Sequence, residues 1–312
     1  MFTCRFAFVT VLIIGLTVIA NAQSSSVARD FYNRGQQRYL KRDLAGAIAD
    51  FTKAIEISSR PAGLHPQQAR DWQSQSVAVE PDINFIDPLV AAAYTDRALA
   101  RFHQGDIEGA IADCEKAIAI DPGLAEAYNN RGAARATKKN FDGAISDFDR
   151  TIEINPQFVP AYGNRASVRI KKGDITGAIA DYSQAIALDP RCAETYCNRG
   201  HVRRDQGDMD GALADFEQAI AVDPRLADAY YSRGMVLCDK NDLQKAIADY
   251  TRAIELNPRF AEAYGNRGLV RLRLGLNAEA EKDFAKCLQF DSTLKSQLDG
   301  SIQTVQQLRL KK

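Results

Sequence analysis

An arginine and an aspartate recur sixteen residues apart at seven places in the chain. The pairs are Arg34 with Asp50, Arg97 with Asp113, Arg131 with Asp147, Arg165 with Asp181, Arg199 with Asp215, Arg233 with Asp249, and Arg267 with Asp283. A row of guanidinium groups could bind anionic groups such as carboxylates or phosphates. Because each arginine has a carboxylate at a fixed offset, we favour a structural ladder of ion pairs over an anion-binding track. The partners would lie within one structural unit or in neighbouring units.

The residue patterns that mark common catalytic sites are missing from the sequence. It contains no nucleophile elbow, phosphate-binding glycine loop, HExxH motif or dinucleotide fingerprint. The histidines His65, His103 and His201 are far apart in the chain. Residues 206–217 faintly resemble a calcium loop, but the leading aspartate is missing and the segment falls on a turn. We therefore expect a chain that is not an enzyme and that holds no metal or cofactor.

The charge balance argues against a partner that is bound mainly by charge. Lysine and arginine total 40 and aspartate and glutamate total 40, so the formal net charge is zero. No block of lysine and arginine of the kind that binds nucleic acid stands out. We expect a protein or peptide partner, and no nucleic acid.

The first 22 residues read as a secretory signal peptide. Arg5 precedes an almost wholly apolar run, residues 6–20, and Ala20-Asn21-Ala22 is a small-x-small cleavage site. The run is shorter than the roughly 20 residues that a membrane-spanning helix needs. We expect cleavage after Ala22, export to the periplasm or the exterior, and no membrane insertion of the mature chain. The alternative is an uncleaved segment 1–22 that anchors the protein.

An oxidising destination makes the cysteines candidates for a disulfide. Removal of residues 1–22 leaves five: Cys114, Cys192, Cys197, Cys238 and Cys287. Cys114 and Cys287 replace core residues of the pattern described next, which favours a role as small buried apolar groups. A disulfide between two of the other three cysteines is the alternative that the sequence leaves undecided.

The ladder belongs to a longer pattern with a period of 34 residues. In the copy that contains Arg199, a small residue follows at Gly200, then Ala212, Phe216 and Pro224. Each copy shows two stretches of helical periodicity, separated by a turn such as Gly207-Asp208. A single helical hairpin cannot bury its apolar face, but stacked hairpins can bury theirs against each other.

This pattern resembles the tetratricopeptide repeat family, whose helix–turn–helix unit has the same period. The resemblance implies an all-α, right-handed superhelical solenoid that spans residues 23–294. The sequence departs from the family pattern in two respects. The ladder arginines replace the large apolar residue that precedes the small residue of each repeat, and Ser292 replaces the last proline. The seven expected repeats are residues 28–61, 91–124, 125–158, 159–192, 193–226, 227–260 and 261–294.

Two segments lie outside the repeats. Residues 62–90 interrupt the period between repeats 1 and 2 and contain Trp72, the one tryptophan of the chain. We favour a solvent-exposed loop without a binding role there over a binding loop that uses Trp72. Residues 295–312 carry an apolar stripe at helical spacing, which predicts a C-terminal capping helix over the last repeat.

The resemblance also implies that the first helix of each repeat lines a concave groove. The residue before the ladder arginine is asparagine in five repeats, and its amide can both donate to and accept from a peptide backbone. The alternative is that these amides bond to a neighbouring helix. The predicted peptide-binding residues are Asn33, Asn130, Asn164, Asn198 and Asn266, with Tyr32, Tyr231, His201 and Met235 at other groove positions.

Two classes of function fit these observations. The first is a non-catalytic scaffold that binds an extended peptide or a partner protein in the groove, in an exported compartment. The second is an accessory or regulatory subunit of an exported enzyme complex, or of a secretion or envelope-assembly machine. The lysines with which some members of the family clamp a carboxylate are missing from the groove positions.

Overall fold

The computed structural model describes residues 25–59 and 88–310. The predicted signal peptide, residues 1–22, lies outside the described residues. Trp72 and all but the last three residues of the predicted insertion, 62–90, lie outside them as well.

The described residues form fifteen α-helices and one short 3-10 turn, and no strand is found among them. The expected all-α fold class is confirmed. Helices α1 to α14 pair in sequence order as repeats 1 to 7, and α15 follows the turn at Ser292–Leu294. The helices are α1 (25–40), α2 (Leu44–Ser58), α3 (Pro88–Gln104), α4 (Ile107–Ile120), α5 (Ala125–Thr137), α6 (Phe141–Ile154), α7 (Val159–Lys172), α8 (Ile175–Leu188), α9 (Ala193–Asp205), α10 (Met209–Val222), α11 (Ala227–Asp239), α12 (Leu243–Leu256), α13 (Ala261–Arg273), α14 (Asn277–Phe290) and α15 (Lys295–Leu310).

The chain divides into two compact bodies inside α7. The N-terminal body ends at Val168 and the C-terminal body begins at Arg169. Within each body the helices of a repeat pack against each other, and the second helix packs against the first helix of the next repeat. This nearest-neighbour stacking is what a hairpin with an apolar face needs in order to bury it.

A short turn joins the two helices of each repeat. The turn residue with positive φ is glycine in four repeats, for example Gly207 at φ 83°. The next residue, Asp208, caps α10, because its side chain accepts a hydrogen bond from the backbone N–H of Gly211. The same cap is made by Asp43, Asp106, Asn140 and Asp174.

The two helices of a repeat approach closely where the small residue faces an aromatic ring. A Cβ added to Gly132 would lie 2.7 Å from the Phe148 ring. In repeat 2 both partners differ, because Ala98 packs with Cys114 in place of a glycine with an aromatic residue. Alanine is larger than glycine and cysteine is smaller than an aromatic residue, so the total volume is nearly kept, as dense core packing requires.

The close approach at Gly132 predicts a packing penalty for a larger side chain. We expect Gly132→Val to lower the free energy of unfolding by about 2 kcal/mol, because the new atoms overfill the contact with Phe148. Urea unfolding followed by circular dichroism measures the loss.

The matched control for this substitution is Gly163→Val on α7, where an added Cβ would meet nothing within 4 Å. Here we expect a change of a few tenths of a kcal/mol, which reflects helix propensity alone. Equal losses in the two variants would show that the ring contact does not limit the size of residue 132.

Candidate functional site

The ladder residues meet as ion pairs between the two helices of a repeat. In repeat 5 Arg199 donates from Nε and Nη2 to the Asp215 carboxylate, at 3.0 and 2.6 Å. Arg203, one turn later on α9, donates to the same carboxylate at 2.9 Å. The side chain of Asp215 is only 3% exposed. Repeats 1, 2 and 7 make the same intra-repeat contact, through Arg34 with Asp50, Arg97 with Asp113, and Arg267 with Asp283.

Asp147 of repeat 3 and Asp249 of repeat 6 are also buried, but they differ in the number of arginines that they bind. Asp147 accepts from Arg131 at 2.7 Å and from Arg135 at 2.9 Å. Asp249 accepts only from Arg233, at 2.8 and 2.7 Å, because Leu237 stands where the other repeats have a second arginine. One bidentate arginine therefore satisfies both oxygens of Asp249, whereas two arginines share Asp147.

Repeat 4 contains the boundary between the two bodies. In the N-terminal body Arg165 donates to Asp149 at 2.5 Å. In the C-terminal body Asp181 accepts from Arg169 at 2.7 Å.

Aromatic rings complete the surroundings of the ladder arginines. The guanidinium carbon of Arg131 lies 5.5 Å from the centroid of the Tyr128 ring, and that of Arg267 lies 5.5 Å from the Tyr264 ring. These contacts are within the range of cation–π attraction. The ladder guanidinium groups therefore already bind groups of the protein itself, which explains how arginine can occupy a position where the family has an apolar residue.

In repeat 1 the arginine contact also changes the pKa of the carboxylate. The hydrogen bonds from Arg34 hold the pKa of Asp50 below its ordinary value. A lowered folded-state pKa stabilises the protein above the ordinary pKa of the acid, and this stabilisation is lost as the pH falls through the folded-state value.

The asparagine row divides into two groups. Asn164 donates from Nδ2 to Oδ1 of Asn129 at 3.0 Å, and Asn266 donates to the Tyr231 hydroxyl at 2.9 Å. In both cases the partner stands 35 residues earlier, on the first helix of the preceding repeat. These two amides join neighbouring repeats, as the alternative interpretation of the row expects.

Asn33, Asn130 and Asn198 form the second group. Asn198 is exposed and makes no side-chain hydrogen bond within the part of the chain that the structure describes. Asn33 is exposed in the first repeat, and Asn130 receives only a long contact of 3.5 Å from its neighbour Asn129.

In repeat 2 an aspartate, Asp96, takes the place of the asparagine. Gln36 donates to Asp96 at 3.1 Å and to the Tyr32 hydroxyl at 2.9 Å. Burial raises the pKa of Asp96, hydrogen bonds from Tyr32 and Gln36 oppose this change, and the charge of Glu126 adds to it. Burial also raises the pKa of Tyr32, and the charge of Asp96 adds to that shift.

The C-terminal body contains a cavity of about 580 Å³ on the face formed by the first helices. Met235 and Asn266, two of the predicted peptide-binding residues, line it. Sequence reasoning did not assign Arg273, Val305 and Leu308 to a site, although the apolar stripe of the last helix was visible. The lining residues are Arg204, Met235, Cys238, Asp239, Tyr250, Asn266, Leu269, Val270, Arg273, Val305 and Leu308.

Two other predicted residues contact neighbouring side chains and do not line the cavity. His201 lies 3.3 Å from the Ser232 hydroxyl, and its ring meets Phe216 edge-on at 5.1 Å. Burial lowers the pKa of His201, and the charge of Arg204 adds to this effect. Tyr231 packs against Phe260, with ring centroids 4.8 Å apart.

Other kinds of site are not found among the described residues. They contain no group of three or more His, Cys, Asp or Glu side chains that could hold a metal ion. None of the helices that the structure describes is long and apolar enough to cross a membrane. The five cysteines among these residues, Cys114, Cys192, Cys197, Cys238 and Cys287, are free thiols.

The buried ion pair predicts a large effect when its acid is removed. We expect Asp215→Ala to lower the free energy of unfolding by about 3 kcal/mol, because Arg199 and Arg203 lose their shared carboxylate in a buried setting. The control is Glu255→Ala, which breaks an exposed pair with Arg252 and should cost less than about 0.5 kcal/mol. Urea unfolding of both variants tests this; similar costs would contradict a structural role for the ladder.

The raised pKa of Asp96 predicts a pH-dependent effect of Asp96→Asn. At neutral pH the variant should be more stable than the wild type, because the folded state disfavours the ionised carboxyl. The gain should vanish at about pH 3, where the carboxyl is protonated in both the folded and the unfolded state. Urea midpoints at the two pH values measure this. Asp30→Asn, at an exposed position on α1, is the control, and a gain that does not depend on pH would contradict the prediction.

Comparison with known proteins agrees with this architecture. A family model described as TPR repeat matches residues 98–139, 166–203, 200–237 and 234–275, and models described as Tetratricopeptide repeat match residues 125–158 and 261–293. Together they cover more than half of the chain. A search of curated proteins found no match.

Similar solved structures include a tetratricopeptide repeat protein from Parabacteroides merdae, with 17% identity, 90% of this chain and 99% of that chain covered, and a TM-score of 0.58. PilF of Pseudomonas aeruginosa has 18% identity, coverage of 71% and 97%, and a TM-score of 0.57. At these identities the likeness is one of fold. MamA is 30% identical over 53% of this chain and 96% of its own, with a TM-score of 0.49. From the matched models and the helical hairpins of the part that the structure describes, this chain belongs to the tetratricopeptide repeat family.

Proposed function

We propose that this chain is a non-catalytic scaffold that binds an extended segment of a partner protein on the face formed by its first helices. The observation that carries the proposal is the cavity of about 580 Å³ in the C-terminal body. Residues of α9, α11 and α13 line it together, so successive repeats contribute to one concave surface. Its volume lies within the roughly 300–1,000 Å³ that ligand pockets span.

Polar groups on the same helices support binding of a backbone. The Asn198 amide is exposed and free of hydrogen bonds to other described side chains, so one acceptor and two donors remain for a peptide. A main-chain contact of this kind requires little of the partner's sequence. Asn164 and Asn266, in contrast, hold neighbouring repeats together.

The electrostatics of the array support a protein partner over a nucleic acid. The arginines that recur in every repeat bind carboxylates of the array itself, so they do not form a free cationic track. Phosphate binding needs cations that are available at the surface. The formal net charge of zero points the same way.

We place this function in an exported compartment, on the strength of the apolar run and the cleavage site at residues 20–22. Mass spectrometry of the protein from its source checks this step. A mature N-terminus at residue 23 is expected, and a retained Met1 would contradict cleavage.

The division of the asparagine row allows a sharp test of the binding face. We expect a variant with Asn33, Asn130 and Asn198 changed to alanine to keep its melting temperature, because these amides make no strong contact within the array. The same variant should capture partner proteins from the source's envelope or secreted fraction at least tenfold less well. Loss of capture without loss of stability is the result that supports the proposal.

The matched control changes Asn164 and Asn266 to alanine. It should lower the free energy of unfolding by about 1 kcal/mol for each lost hydrogen bond. If the first variant captures the same proteins as the wild type, the asparagine row is not the binding site. A single stoichiometric partner would identify an accessory subunit of one complex, and several partners would identify a general scaffold.

A further inference from the structure

We infer that the C-terminal helix α15 forms one wall of the binding site, and that the site takes a protein segment in which a bulky apolar side chain stands next to a carboxylate. The inference rests on the proposed function, because it names the class of segment that the same face would bind. It assigns to α15 a role beyond that of a cap.

The two halves of α15 have different surroundings. In the first half Leu298 is 5% exposed and packs with Ala261 and Cys287 in the core of repeat 7. In the second half Val305 and Leu308 line the cavity, and Leu308 is 55% exposed. The first half therefore anchors the helix, and the second half offers apolar surface that an occupant of the cavity would cover.

The repeats also contribute apolar residues to the lining of the cavity. Met235 and Cys238 of α11 and Leu269 of α13 face the cavity from the repeats. An apolar side chain that enters between these residues and Leu308 would remove both surfaces from water. This geometry accounts for the apolar half of the proposed segment.

Two arginines supply the charge. Arg273 donates to the neutral Asn241 side chain at 2.9 Å, and no carboxylate of the described residues lies within ion-pair distance of it. Arg204 pairs with Asp205, whose side chain is 67% exposed. Asp239 is the one acidic residue among the lining residues, so the lining carries a net positive charge. The ladder arginines have buried carboxylates, whereas these two retain donors for a carboxylate of the partner.

The apolar and cationic parts of the wall are adjacent. Nη1 of Arg204 lies 3.5 Å from the Met235 sulfur. An occupant that places an apolar side chain on Met235 therefore brings the neighbouring residue of its chain close to the Arg204 guanidinium. For this reason we expect the carboxylate to stand next to the apolar residue in the partner's sequence.

Selection from a phage-displayed library of random peptides on the purified protein tests this inference. The wild type should enrich peptides in which Phe, Leu, Ile or Met adjoins Asp or Glu. Leu308→Asp should weaken binding of the enriched peptides at least tenfold, as measured by fluorescence anisotropy. Arg273→Gln should weaken acidic peptides by a similar factor, while it leaves their amide analogues, with Glu replaced by Gln, unchanged.

The matched controls are Leu40→Asp and Arg252→Gln. Leu40 is an exposed leucine outside the cavity, at 72% exposure, and Arg252 is an exposed arginine that does not line it. Both control variants should bind the enriched peptides like the wild type. Circular dichroism checks that every variant is folded, and Leu308→Ala replaces Leu308→Asp if the latter is not.

The outcomes separate this inference from the proposed function. Peptides that bind the wild type and both cavity variants equally would overturn the inference and leave segment binding elsewhere on the array intact. Enriched peptides without acidic residues, unaffected by Arg273→Gln, would overturn the charge assignment. If the wild type enriches no peptide, both the inference and the binding of extended segments are wrong.

Discussion

A buried aspartate that accepts hydrogen bonds from the facing helix is the interaction on which the repeats depend. Asp215 lies almost fully out of water, and it is tolerable there because Arg199 and Arg203 satisfy both carboxylate oxygens. The bidentate geometry fixes the distance and the rotation of one helix against the other. The family usually has an apolar side chain at the position of Arg199, so here a directional contact replaces a non-directional one.

The polar groups available to a partner are those that do not already bind other groups of the array. The ladder arginines bind carboxylates inside the array, as Arg199 does, and two of the five asparagines of the row join neighbouring repeats, as Asn164 does. Other polar groups are left free by these contacts. Asn198 makes no side-chain hydrogen bond within the described residues, and Arg273 has an amide neighbour in place of a carboxylate. Recognition therefore depends on the groups that the internal contacts leave free.

The sequence was sufficient to predict the features that depend on residues at constant offsets. The helical hairpins, the turn at Gly207, the sixteen-residue Arg–Asp offset and the helix after residue 294 all follow from local chemistry and period. It was not sufficient to separate Asn198 from Asn266, because the hydrogen-bond partner of Asn266 is Tyr231, which belongs to the preceding repeat. The periodicity also could not predict that Leu308 lines the cavity, because residues of the same apolar stripe lie both in the core and at the surface.

Helix α15 follows the last repeat, so the cavity with Val305 and Leu308 in its wall has a defined place beside the last repeats of the C-terminal body. The first helices that follow each other in the C-terminal body would otherwise offer a flexible segment more than one register, displaced by one repeat. Binding in this cavity selects one register, because it fixes one residue of the segment next to the last repeats. The rest of the segment then has a definite position and polarity along the helices of the C-terminal body.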